Sequence, residues 1–263
     1  MTGSHILLDH ILLVMITLVW PVAEWRWYYP RSVLAIAAGV PGARARLYRN
    51  SVAPQWVFSA GIIALCVFRG RPWTALLLGP SKPARMGIAF VLVALILALL
   101  WQQRRALFTR ANWPELVRCS LKRAESLVPR TTGEYRGMIL VAFTAGVCEE
   151  FLFRGFVLWY FLAFWPGTRI GLVLAVISSA LLFGFGHIYL GVRNVIETVI
   201  GGLFFAALVL LAGSLLPAMM VHVALDLNSF DLGYRAVRKK GEADGVFADY
   251  ARAAYSVLPL QTE

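Results

Sequence analysis

The chain has 263 residues, 59% of them hydrophobic and 15% charged, with a formal net charge of +11. A soluble domain carries about 25% charged residues, so a water-soluble globule is excluded. The basic excess lies in short loops between apolar runs, which points to membrane topology rather than to a nucleic-acid-binding face.

A membrane span needs roughly 20 mostly apolar residues. The predicted spans are 5–20, 52–68, 87–101, 137–164, 169–187, 192–212 and 215–230. Residues 1–9 lack a basic leader region and no small-residue cleavage site follows, so the first apolar run is expected to remain as a helix. Between Pro21 and Ser51 the reading is an interfacial segment: EWRWYYP from Glu24 to Pro30, then Arg44, Arg46 and Arg49, an aromatic belt beside cations. A stretch near 33–40 could add an eighth or re-entrant helix. Residues 111–128 are polar enough for an amphipathic surface helix. The fold class is therefore all-α, a polytopic transmembrane helical bundle of seven to eight spans. Residues 1–136 form N-terminal helices with interfacial and amphipathic segments, 137–230 a helical core, and 231–263 a basic cytoplasmic tail. With an external N-terminus, the segments assigned to the cytoplasm hold 19 Lys and Arg against 5 outside. The positive-inside rule supports that orientation.

Polar residues inside the spans carry the chemistry. The fourth span reads VCEEFLFRGFV from Val147 to Val157, with two carboxylates and a guanidinium in an apolar run. Insertion scales put each such charge at about +2.5 to +3.5 kcal/mol at a helix centre, so they must pair or face a wet cavity. Glu150 and Arg154, four apart, share a helix face and read as a structural ion pair. Glu149 is turned roughly 100° from Glu150. An apolar surrounding disfavours its charged form, which suits it to act as a general base. The fifth span ends LFGFGH at His187, with Phe183 one turn earlier and Gly184 and Gly186 open to close approach by another backbone. The seventh reads MVHVALD, pairing His222 with Asp226 across a turn. Taken singly, each His is more often a satisfied core residue; three helices each carrying such a device form a functional-site hypothesis. Glu197, Asn194 and Thr198 are read as solvated near a span end, and Asn228 faces away from Asp226. His5 and His10 lie at the membrane edge. Cys66, Cys119 and Cys148 have no zinc or disulfide spacing, and Cys148 is read as packing.

Glu149-Glu150-x-x-x-Arg154, Phe183-x-x-x-His187 and His222-x-x-x-Asp226, in that order on successive apolar helices, resemble the three motifs of the CAAX protease and bacteriocin-processing family, which includes the type II prenyl endopeptidases. Asp226 stands where prenyl proteases usually carry Asn, a feature more like bacterial members. The resemblance implies an intramembrane endopeptidase and a multi-pass protein of the bacterial inner membrane with a cytoplasmic C-terminus. It implies that Glu149 and His187 bind and deprotonate a water. His222, oriented by Asp226, would contact the oxyanion or substrate, with Glu150, Arg154 and Phe183 in support. It also admits a metalloenzyme, in which Glu149, His187, His222 and Asp226 would be adequate Zn2+ ligands. A metal-free site is favoured, since no His-Glu-x-x-His pair exists. No other intramembrane protease signature is found: no Gly-x-Ser-Gly nucleophile run, no Gly-x-Gly-Asp and Tyr-Asp aspartyl pair. The partners implied are membrane lipid and a peptide or protein substrate, lipidated or with a C-terminal membrane segment. Nucleic acid is not among them. The alternative is a non-catalytic bacteriocin-immunity-like or chaperone-like protein of the same fold. A proton-coupled transporter is a third reading, without the internal symmetry expected of one.

Overall fold

A computed structural model describes residues 3–78 and 81–240, and among the described residues there are eight helices and no strand. α1 is a continuous run over 3–37 with two π-helical turns, Met15–Val19 and Glu24–Tyr28; α2 is Ala43–Phe68; α3 is Pro83–Phe108; α4 is Trp113–Leu121. α5 runs over 132–162, its middle, Ala145–Val157, π-helical; α6 is Arg169–Phe185, α7 Val192–Ala212 and α8 Leu216–Lys240. Four are long and apolar enough to cross a membrane: Leu7–Ala37, Ala43–Phe68, Pro83–Phe108 and Val192–Ala212, with Arg169–Phe185 a shorter apolar helix. The architecture is an all-α helical membrane bundle. Its seven long rods correspond in order to the seven predicted spans.

The outer faces explain the composition. Ile88, Val91, Leu95 and Leu99 on α3, and Val57, Val67 and Phe68 on α2, all point outward. In water such a surface would aggregate; in lipid it is the solvated face. The core lies between α5 and its neighbours, where Leu152, Phe156, Val157, Phe183, Phe205, Val209 and Val221 pack together.

Local signals set the helix ends. Thr131 caps α5 with a reciprocal capping box to Glu134. The same Glu134 takes both oxygens to Arg44 Nη1 of α2 at 3.2 Å. Thr168 caps α6 by accepting from the Gly171 N–H. Arg85 Nε donates to the Leu211 carbonyl at 2.9 Å and Ser81 to that of Ala212, closing free carbonyls at the end of α7.

Two expectations for the N-terminal half are corrected. The first helix does not end at Trp20: it continues through the segment from Pro21 to Ala37, and Tyr29 and Val33 are buried. The Trp- and Tyr-rich stretch is a π-helical turn of that same helix. Pro21 lies inside this continuous helix, just after the π-helical turn Met15–Val19, and its missing N–H removes one helical hydrogen bond there. The turn at 38–42, with Gly39 and Gly42 at positive φ, makes the reversal into α2. The amphipathic stretch forms α4 followed by a 3-10 segment Lys122–Leu127, whose Glu125, Ser126 and Leu127 are buried rather than on the surface. Of the basic tail, 231–240 continues α8 as helix, and 241–263 lies outside the described residues.

Candidate active site

The site is built on the π-helical part of α5. π-helical turns are uncommon and concentrate at functional positions, and here the turn carries Glu149, Glu150 and Arg154. Glu150 and Arg154 are wholly buried, with Arg154 Nη1 donating to Glu150 Oε1 at 3.0 Å. The guanidinium lies over the Phe183 ring, 4.1 Å from its centroid, and 5.5 Å from that of Phe205. Among the described residues its Nε and Nη2 find no hydrogen-bond partner, and the aromatic faces lie against the charge.

α8 brings His222 against this pair. His222 Nδ1 meets Glu150 Oε1 at 2.9 Å; a carboxylate accepts, so Nδ1–H is the donor. The imidazole stacks on Phe205, centroids 4.8 Å apart and planes 15° apart. Its Nε2 faces Glu149 Oε2 and Asp226 Oδ2, each at 3.9 Å. That spacing is beyond a hydrogen bond, which corrects the expected His222–Asp226 device: the ring is held by Glu150, across helices. The Glu150–Arg154 pair thus makes two members of a triad with His222.

Glycine makes the approach. A Cβ on Gly146 would lie 2.4 Å from Val223 Cγ2 and 2.7 Å from its backbone nitrogen, so only Gly lets α8 seat one residue from His222. Gly184 does the same for α6 and α7, where a Cβ would meet Val199 Cγ2 at 2.3 Å. Small residues permit such contacts in membranes, where apolar burial between helices gives little drive.

His187 falls just beyond the end of α6, and its Nδ1 lies 3.0 Å from the Phe183 carbonyl. A carbonyl only accepts, so Nδ1 carries the proton and Nε2 is the free lone pair. Phe183 lies between the two imidazoles: its ring is 5.0 Å from that of His187, 6.1 Å from His222 and 5.1 Å from Phe153.

Glu149 and His187 line one cavity of about 80 Å³ together with Glu24, Ser51, Gln55 and Tyr189. A water occupies about 30 Å³ in the liquid, so the space suits water between the two motif residues. Gln55 Nε2 donates to Glu149 Oε1 at 3.1 Å. Glu24, Gln55 and Tyr189 are site residues that sequence reading missed. Gln55 had a signal, as an amide beside Pro54 in an apolar helix; Glu24 was read as an interface anchor. The other polar residues lie elsewhere. Arg193 and Glu197 form an exposed i, i+4 pair at 2.7 Å, His10 bonds Tyr160, and Cys148 is buried in packing.

Among the described residues no group of three or more His, Cys, Asp or Glu is arranged to hold a metal ion. His222 and His187 each commit Nδ1 elsewhere and offer Nε2 alone. A metal-bound His takes the same arrangement, its other ring N–H donated to a carboxylate or carbonyl, and no step below runs through a metal.

Comparison with protein-family models matches residues 132–228 to the Rce1-like family, described as type II CAAX prenyl endopeptidase Rce1-like. The matched segment runs from the start of α5 into α8 and contains all three motifs. It bears out the resemblance read from the motifs. At family level, the segment is similar to endopeptidases of the CAAX type. No curated protein and no solved structure matches the chain.

Proposed function

We propose that the protein is an intramembrane endopeptidase that hydrolyses a peptide bond with a water activated by Glu149 and His187. The observation that carries this reading is that Glu149 and His187 line one small cavity in an apolar bundle, while a buried cluster of Glu150, Arg154, His222 and Asp226 adjoins Glu149 through His222.

The water donates one hydrogen to Glu149 and the other to His187 Nε2. Glu149 takes its proton as the oxygen attacks the scissile carbonyl, and a tetrahedral oxyanion forms. His222 meets that oxyanion through Nε2–H in its doubly protonated form, since Nδ1–H is committed to Glu150. Collapse breaks the C–N bond, and the leaving nitrogen takes the proton from Glu149. Glu150 and Arg154 hold His222 in position, and Gln55 fixes the Glu149 carboxylate. Asp226 faces His222 Nε2 and balances its positive charge.

Substrates are membrane-associated proteins cut near a C-terminus or leader, of which prenylated CAAX proteins are the class that the family description names. The test compares protein C-termini in membranes of a wild-type strain with those of a Glu149→Gln strain. A set of uncut C-termini unique to the variant is expected. Identical C-termini in both strains, with protection against a bacteriocin retained in Glu149→Gln and His187→Ala, would replace the enzyme by the immunity reading.

A further inference from the structure

At the basic end of the bundle, remote from the cavity, the ends of α3, α4, α5 and α8 enclose an open groove of about 660 Å³. Aromatic side chains Phe108, Trp113, Tyr135 and Tyr234 line it, with Asp231, Arg235 and Arg238. A second hollow of about 450 Å³ continues it past Arg104 and Asn228, sharing Tyr135, Asp231 and Arg235. We propose that this groove binds the phosphodiester headgroup of an anionic glycerophospholipid.

Charge is the first support. Asp231 is the acidic residue of the groove, and its carboxylate is already saturated. Arg104 Nη2 donates to it, Arg235 Nε does so at 2.8 Å and the Tyr135 hydroxyl at 3.0 Å. Burial pushes its carboxyl up, but these hydrogen bonds outweigh that and hold it below the usual carboxylate range. Three arginines against one carboxylate leave the groove positive. Arg235 spends its Nε on Asp231 while its side chain is 56% exposed, so the terminal fork faces outward. Arg238 contacts only the ring and hydroxyl of Tyr234 among the described residues, at 5.5 Å and 3.3 Å. A fork held over an aromatic ring is preset for bidentate contact with a phosphate.

Place is the second. The groove lies at the end where α3 finishes in Arg104 and Arg105 and α8 in Arg238, Lys239 and Lys240. Trp and Tyr beside Arg mark the headgroup level, and basic pockets between spanning helices on the cytoplasmic side take anionic headgroups. The volume lies in the range of small-ligand sites, about 300 to 1,000 Å³.

The test uses the full-length purified protein reconstituted in nanodiscs of phosphatidylcholine with or without phosphatidylglycerol. Retained phosphatidylglycerol is counted by mass spectrometry after mild delipidation. Wild type is expected to hold phosphatidylglycerol over phosphatidylcholine, and each lost arginine to weaken retention about fivefold. Arg238→Gln, on an exposed side chain, cannot unfold the bundle; Arg235→Gln/Arg238→Gln gives the larger loss. Arg193→Gln, an exposed cation of α7, is the control expected to leave retention unchanged. Equal retention of the two lipids, or Arg235→Gln/Arg238→Gln retaining as much as wild type, would overturn the proposal. So would full displacement of lipid by millimolar inorganic phosphate, which would make the ligand a soluble anion.

Discussion

Helix α3 and the π-helical stretch of α5 are both apolar runs, yet they occupy opposite surroundings. α3 extends 26 residues and buries only Ala89 and Val93 among them. Ala145–Val157 extends 13 and buries eleven, including Glu150 and Arg154. Hydropathy does not distinguish the two, because lipid tails are as apolar as a protein core. Charge does. A helix carrying Glu149, Glu150 and Arg154 cannot face lipid at a cost of several kcal/mol per ion, so it must be wrapped by other helices. α3, with no charge between Arg85 and Arg104, has no such need.

That contrast can be broken at α5 with large effects. Glu149→Gln removes the proposed base and is expected to lower cleavage by about 10²- to 10⁴-fold, with the protein still inserted and folded; a rate within threefold of wild type would remove Glu149 from the chemistry. Arg154→Met leaves the buried Glu150 with His222 as its sole partner among the described residues and should cost about 3 kcal/mol, read as loss of folded protein in detergent. Adding Glu150→Gln to Arg154→Met should recover much of the fold and not the activity, since His222 loses its carboxylate.

A smaller effect tests how α8 is seated. Gly146→Val inserts a branched side chain where even a Cβ clashes with Val223. Overpacking of this kind costs about 1–3 kcal/mol, and cleavage should fall further than stability does because His222 is displaced. A Cβ on Gly87 of α3 would meet nothing within 4 Å, so Gly87→Val should be neutral in thermal melts.

Outside the buried core the expected effects are modest. Asp231 titrates below its unfolded value, so its stabilisation is present above about pH 4 and is lost as pH falls through the folded value. Asp231→Asn should cost about 0.5–1 kcal/mol at pH 7, a difference that closes towards pH 3 in thermal melts. The smallest expected effect is that of chelation: dialysis against a strong zinc chelator should leave cleavage unchanged, and loss restored by zinc alone would make Glu149, His187, His222 and Asp226 ligands after all.

Much of the site was legible in the chain because membranes penalise misplaced charge. Glu149, Arg154, His187 and His222 stood out as polar residues in apolar runs, and the i, i+4 spacing of Glu150 with Arg154 predicted their ion pair. Partners across helices were not legible. Spacing paired His222 with Asp226, its neighbour on α8, whereas the ring is held by Glu150 of α5.

Composition and charge placement alone determined the class, an all-α membrane bundle, and the motif residues, because hydropathy and the cost of burying ions are local properties of the chain. Tertiary structure decided which carboxylate holds His222, that Glu24 and Gln55 join the cavity, and that the Trp- and Tyr-rich stretch after Pro21 is helix. Those depend on which helix faces meet, and that is set by small residues such as Gly146 and Gly184, whose importance appears only once another backbone lies against them.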